Sequence, residues 1–167
     1  MPMLIKWQQG QAVDAEDPFT NVGDEQHVPR GEVIVSLARF QADGDRLLGE
    51  GRMIGVQLEP GDKVEDLVFD LPRLSVVALN FPVHRDGRAY SNARLLRERY
   101  GYKGEIRAVG DVLREQARMM VRCGFDAFVA ADGSKAADWA HKVRGYRHVY
   151  QRGVDGRAPA FVEREGA

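Results

Sequence analysis

The sequence predicts a single-domain α/β protein whose sheet is mostly parallel and built from βαβ crossovers, and three observations carry that prediction. From Arg52 to Gln151, stretches of strand composition alternate with stretches of helical period in the order βαβαβαβ(αβ), which right-handed crossovers convert into neighbouring parallel strands. SVVALNF (75–81) and FDAFVAA (125–131) are near-continuous apolar runs, the pattern of strands covered on both faces. At 167 residues, 44% of them hydrophobic and 29% charged, the chain has room for one sizeable core and not for two. The pattern leaves two architectures open: a sheet closed part-way, like half of a (β/α) barrel, or an open, doubly wound one.

Short N-terminal strands come first. Residues 3–14, MLIKWQQGQAVD, read as one or two strands about a turn at Gln9 and Gly10, with Trp7 set in the core. An irregular loop runs on to Gly31, since Pro18, Gly23 and Pro29 break any period. EVIVSLARF (32–40) reads as a strand and QADGDRLLGEGR (41–52) as a turn, with at most one helical turn around Arg46 to Leu48. RMIGVQL (52–58) is again a strand, so Gly49, Gly51 and Gly55 do not open a helix as a dinucleotide-binding fingerprint requires.

The signals then sharpen. Asp62 and Glu65 stand at capping-box spacing ahead of Val64, Leu67, Val68 and Leu71, which predicts a helix stopped by Pro72. After SVVALNF, Ser91 is placed to cap a helix carrying Leu95, Leu96 and Tyr100 and ending at Gly101. GEIRAVG (104–110) is a short strand, followed by a helix capped by Asp111 and stopped by Gly124, with Val112, Leu113, Gln116, Met120 and Cys123 inward. After FDAFVAA, Asp132 or Ser134 opens a helix that turns Ala137, Ala140 and Val143 to the sheet and closes at Gly145, and YRHVYQ (146–151) reads as a last strand. These elements make residues 1–151 one domain, with 152–167 a polar, flexible tail.

Composition removes several function classes. The single cysteine, Cys123, allows no internal disulfide and no four-cysteine zinc or iron–sulfur site, and it reads as a packing thiol. His27, His141 and His148 show no metal-ligand spacing, so no metal site is expected. No apolar run reaches membrane length and MPMLIKWQQG lacks an apolar signal core, so a cytoplasmic location and no membrane partner are expected. The net charge of −1 conceals an asymmetry: residues 84–122 hold ten Arg or Lys against five Asp or Glu, which leaves that stretch at +5 and the remainder at −6. An anionic partner for the basic stretch is one reading, and solvated helix faces with pairs such as Arg94 and Glu98 are the other.

In a parallel sheet the strand-to-helix loops share the rim at the carboxyl ends of the strands, where α/β proteins bind ligands. That rule brings together residues 82–91, Gly110 with Asp111, and 131–134. The first loop, HRDGRAYS, places Asp86, Gly87, Arg88, Tyr90 and Ser91 just ahead of a helix, whose free N–H groups favour a carboxylate, sulfate, sulfite or phosphate. An ordinary Asp-Gly turn accounts for part of the same pattern. Arg107, mid-strand, needs a carboxylate, for which Asp111 or Asp86 is in reach, or else a ligand. Asp86 is spaced to orient His84 as a base, although the turn at Gly87 works against that geometry. The candidate ligand-binding set is therefore Asp86, Gly87, Arg88, Tyr90, Ser91, Arg107 and Asp111, with no catalytic residue assigned. Tyr90, Tyr100 and Tyr102 bracket the first basic helix, but scattered aromatics of this kind point to packing rather than to nucleic acid.

The run FPVHRDGRAYSNARLLRERYGYKGEIRAVGDVLREQARMMVRCGFDAF (81–128) resembles the core of the bacterial domain-of-unknown-function 934 family. The shared motifs are DGR with a Tyr-Ser pair, an Arg-Leu-Leu-Arg helix, GEIRAVGDVL and RCGFDAF, and the likeness spans most of residues 56–128. Where members more often have Asp after the Arg of GDVLR, this chain has Glu115. The resemblance implies an oxidoreductase involved in sulfite reduction, an assignment that rests on genes beside that of sulfite reductase, and it carries no catalytic residues or cofactor with it. No flavin, nicotinamide, siroheme or iron–sulfur motif is visible, and one thiol cannot cycle an internal disulfide. The sequence thus points to an accessory protein of sulfite reduction that binds a sulfite reductase subunit or a small sulfur oxyanion. A cofactor-dependent oxidoreductase and a structural subunit of a larger complex are the alternatives.

Overall fold

A computed structural model describes residues 3–166; Met1, Pro2 and Ala167, at the outer ends of the expected domain and tail, lie outside the described residues. One sheet of eight strands organises the chain: β1 (Met3–Gln8), β2 (Gln11–Ala15), β3 (Phe19–Val22), β4 (Glu32–Ser36), β5 (Ile54–Leu58), β6 (Val76–Phe81), β7 (Glu105–Gly110) and β8 (Ala127–Ala130), in spatial order β2-β1-β8-β7-β6-β5-β4-β3. β3 to β8 are parallel neighbours in chain order, while β1 is antiparallel to both β8 and β2. Unreversed strand order is the half-barrel alternative, since a doubly wound sheet needs a switch point.

The chain itself forces the curl. β2 and β3 are the two edges of the sheet, yet only residues 16–18 join them. Seven strand intervals in a flat sheet would separate the edges by about 34 Å, whereas the link from Ala15 to Phe19 reaches at most about 14 Å. The edges therefore roll toward each other. Asp17, in that link, reaches across the concave face to Arg107 on β7, with Oδ2 2.7 Å from Nη1, and the Phe19 ring lies 5.4 Å from the Arg107 guanidinium carbon.

The two faces of the sheet divide the core. Outward-facing Val33, Val35, Ile54, Val56, Val77, Leu79, Ile106, Ala108 and Phe128 form the main cluster with the helices, and inward-facing Ile34, Val76 and Ala78 form a smaller one with Phe19 and Val109. Gly55 sits between Ile34 and Val76 on the tight inner face, where an added Cβ would lie 2.8 Å from the Ile34 Cγ1. Arg107 is 1% exposed. Its Nε bonds Glu105 at 2.7 Å, Lys6 reaches Glu105 at 3.0 Å, and its Nη2 has no protein partner. The expected ion pair at Arg107 thus forms, but with Glu105 and Asp17 in place of Asp111 or Asp86. Both expected partners lie on the loops above the sheet.

Four segments depart from the sequence reading. Residues 19–22, expected as irregular loop, pair with β4 as β3. The segment expected as the end of a strand and a turn is helix α1 (Leu37–Gly49): Ser36 Oγ accepts from the Arg39 N–H at 3.0 Å, and Leu37, Phe40 and Leu47 are buried. Burial on the sheet overrides the poor propensity of Asp43, Gly44 and Asp45. The helix expected after Asp62 is two 3₁₀ turns, 64–67 and 71–73; Val64, Leu67 and Leu71 are still buried, but Asp62 accepts from the Glu59 N–H. YRHVYQ contributes one bridge, Val149 to Pro159.

The remaining helices follow the expected order with shifted caps. α2 (Arg88–Arg94) starts after Gly87 and runs on as a π-helix, Leu95–Arg99, so Ser91 is an exposed residue of its first turn and not its cap. α3 (Ala117–Cys123) is entered through a 3₁₀ turn at 114–116 and stops at Gly124, φ 106°, as read from the sequence, while Asp111 caps nothing. α4 (Ala136–Arg144) follows Lys135 and buries Ala136, Trp139 and Val143. The expected face is thus corrected by a residue: Ala137 is exposed, and Trp139, stacked on Phe128 at 4.8 Å, takes the centre. Beyond Arg152 the chain folds back: Val154 N–H donates to the Arg122 carbonyl, Arg122 pairs with Asp155, and α5 (Ala160–Glu165) follows.

Arg107→Ala should destabilise the fold by about 3–5 kcal/mol, because it leaves the partly buried Asp17 without its cation and Glu105 with Lys6 alone. Urea unfolding of the variant with an unchanged midpoint would show that the 16–18 link does not depend on this contact.

Candidate functional site

The carboxyl-end rim gathers the three loops that the sequence placed there. Strand register sets Phe81 beside Gly110, and the Asp111 N–H donates to the Phe81 carbonyl at 2.7 Å. Gly110 is required at this approach: its φ is 92°, and a Cβ would fall 2.4 Å from both the Asn80 Oδ1 and the Phe81 carbonyl oxygen. The corner so formed aims Asp111 back over residues 82–87.

Asp111 takes up His84 at two points. Its Oδ2 accepts from the His84 backbone N–H at 2.8 Å and lies 2.9 Å from His84 Nδ1. These two contacts hold the Asp111 carboxyl below the usual carboxylate range, the backbone N–H first among them. With the Nδ1 proton pointed at Asp111, Nε2 is left to solvent. This is the carboxylate–imidazole arrangement of a general base, with Asp111 and not Asp86 as the orienting group. Gln116 clamps the same corner from α3's entry turn, donating from Nε2 to the His84 carbonyl and, at 3.0 Å, to Tyr90 Oη.

Asp86 serves Arg88. Its carboxylate accepts from the Arg88 backbone N–H at 3.1 Å and from Nε and Nη2 at 3.0 and 2.6 Å. The Arg88 side chain first, then its backbone N–H, draw the Asp86 carboxyl down to about 2 from its ordinary 3.8. Asp86 thereby sits where the opening turn of α2 would receive an external anion, and Arg88 keeps Nη1 free on a largely exposed side chain. Tyr90 is half-buried against Phe81 and Phe125, and burial pushes its phenol up to about 12, so it acts as a neutral hydrogen-bonding wall. Ser91 faces solvent, and among the described residues its side chain makes no hydrogen bond to the rest of the set. Arg107 is committed inside the curl and stands apart from the rim. Of the seven candidates the structure therefore groups Asp86, Gly87, Arg88 and Tyr90 with Asp111, and separates Ser91 and Arg107.

The other half of the mouth escaped the sequence reading. Gln57 Nε2 and Asn80 Nδ2 donate to the two oxygens of Glu59 at 2.9 and 2.6 Å, and Ser36 Oγ donates to Asp24. Asn21, Gly23, Asp24, Ser36, Gln57 and Glu59 line a cavity of about 310 Å³ at the ends of β3, β4 and β5. The available signal was a polar residue breaking each apolar strand near its carboxyl end. Among the described residues no three His, Cys, Asp or Glu side chains are gathered as metal ligands, and no helix is long and apolar enough to cross a membrane. Cys123 is buried at the end of α3, and burial pushes its thiol up.

A family model described as a bacterial protein of unknown function, domain-of-unknown-function 934, matches residues 55–161. The chain belongs to the domain-of-unknown-function 934 family. No curated protein matches the sequence. The matched region begins on β5 and ends in α5, so it takes in the whole His84–Asp111 corner of this family member together with the returning C-terminal segment; β1 to β4, α1 and the Asp17 link precede it.

Arg88→Gln should return the Asp86 carboxyl toward 3.8, the value it would have without its partner. Because the folded value is the depressed one, Asp86 contributes stability above about pH 3.8 that is lost as pH falls toward 2, and the variant should lose this acid-range contribution. Carboxyl-carbon NMR titration of wild type and variant reads both midpoints; identical midpoints would refute the pairing.

Proposed function

We propose that this protein is an accessory factor of assimilatory sulfite reduction that docks a sulfite reductase subunit, or holds a small sulfur oxyanion, at the rim corner of His84, Asp86, Arg88 and Tyr90. The observation that carries the reading is the double hold of Asp111 on His84. It fixes an exposed imidazole beside exposed Arg85 and Arg88 on a corner that otherwise would be a mobile loop. The expectation of sulfite reduction implied by the sequence resemblance supplies the pathway. Docking of a protein is favoured over capture of a free oxyanion, because Asp86 already occupies the anion position and Arg88 offers only one free edge. An exposed charged corner of this kind sets partner choice and association rate more than affinity.

One observation favours a second reading. The imidazole held by a carboxylate beside a polar mouth of Gln57, Glu59 and Asn80 is equipped to move a proton, as a cofactor-dependent oxidoreductase would need. In that case His84 would carry the proton and Asp111 would position it.

Affinity capture on the tagged protein from a native host should recover sulfite reductase at low salt, and the pair His84→Ala with Arg88→Ala should lower the yield by about tenfold or more, equivalent to about 1.4 kcal/mol. Capture that never recovers sulfite reductase at low salt removes the accessory reading. Calorimetry that detects nicotinamide or flavin binding, abolished by His84→Gln, would establish the oxidoreductase in its place.

A further inference from the structure

Two large cavities lie away from the rim, on the outer layer between α3, α4 and the returning segment 145–157. One of about 490 Å³ is bounded by Trp7, Val121, Val143 and Tyr146, and one of about 460 Å³ by Met119, Cys123, Val149 and Tyr150. They share Arg118, Arg122 and Tyr146, so they are two chambers of one groove. Each has the volume of a small-ligand site.

The charge of this groove is one-sided. Seven arginines line the two chambers and a single carboxylate, Asp155, faces them. Asp155 pairs with Arg122, and Arg94 pairs with Glu98. Among the described residues Arg118, Arg144, Arg147, Arg152 and Arg157 have no carboxylate partner. Arg144 and Arg157 donate to backbone carbonyls, which positions them without neutralising them. The Arg118 guanidinium carbon lies over the Tyr146 ring, 4.2 Å from its centroid, so a cation–π contact holds its fork while no carboxylate takes up its N–H groups. Like charges gathered in a concave site repel one another unless an anion enters, and the same concavity focuses their field on that anion.

The lining also indicates the class of anion. The cations that line the chambers are arginines and no lysine, and planar guanidinium forks match phosphate oxygens two at a time. Five uncompensated charges exceed what a single sulfate or carboxylate would balance. Tyr146 and Tyr150 are 67% and 84% exposed at the groove, which leaves flat aromatic faces open beside the guanidiniums. We infer that the groove between α3, α4 and residues 145–157 binds a nucleotide, its phosphates among Arg118, Arg147 and Arg152 and its base against Tyr146 or Tyr150. The site is separate from the His84–Asp111 corner, and neither depends on the other.

Calorimetric titration of the full chain with ATP, inorganic tripolyphosphate and adenosine tests this directly. ATP should bind with a dissociation constant below about 1 mM at about 50 mM salt, tripolyphosphate should displace it, and adenosine alone should give no measurable heat. Arg147→Ala with Arg152→Ala, two exposed side chains that donate no hydrogen bond, should weaken ATP by about tenfold or more at an unchanged melting temperature. Arg118→Ala should act in the same direction. Arg88→Ala, at the rim, should bind ATP as the wild type does even where it loses sulfite reductase. The inference is overturned if neither ATP nor tripolyphosphate binds, if the double variant binds both unchanged, or if the groove takes a single-stranded RNA or an acidic peptide that neither of them displaces.

Discussion

Arg107 holds the inside of this fold together. Its guanidinium is removed from water in the middle of the sheet and takes its compensation from Glu105 on the same strand and from Asp17 on the link between the two edge strands. A buried cation without such partners would be unaffordable, and a partner from the link is within reach only when the sheet is rolled. The contact therefore joins charge satisfaction to curvature. Curvature in turn brings the carboxyl ends of β3 to β8 around one mouth, where the loops of the site meet.

The same logic redistributes the arginines. The stretch 84–122 carries a surplus of five positive charges, but much of it is spent inside the molecule or on immediate neighbours. Arg97 bridges the carbonyls of Tyr102, Gly104 and Gly124 to Asp126 and so ties α2 to the amino ends of β7 and β8. Arg88, Arg94, Arg107 and Arg122 each have a carboxylate. Of the cations left over, Arg118 of α3 lies on the outer layer, where it meets arginines from 144–157, a segment outside the basic stretch of sequence. Net charge along the chain and potential in space are different quantities, and only contacts convert one into the other.

At the rim, a histidine held by a carboxylate and a glutamine bridging a loop carbonyl to a half-buried tyrosine make one rigid corner. Gly110 permits it, since any side chain there would drive β6 and β7 apart. The opposite side of the mouth is built from amides that steer Glu59. The rim is thus divided into an imidazole–guanidinium half and an acidic–amide half, which gives an approaching partner a defined orientation.

What the sequence by itself determined is the succession of β5 to β8, a helix after each of β6, β7 and β8, the end of α3 at Gly124, and the edge of the sheet on which the loops meet. These follow from local patterns: an apolar run covered on both faces, a helical period, a glycine at a stop. Four features were decided only in three dimensions. FTNV became a strand because β4 offered it a ladder, and QADGDRLLG became a helix because Leu37, Phe40 and Leu47 found the sheet. His84 turned to Asp111, 27 residues away, and Arg107 to Asp17, 90 residues away. Periodicity records how each residue is buried, but it holds no information about which distant side chain answers a charge. That choice waits until the sheet has closed.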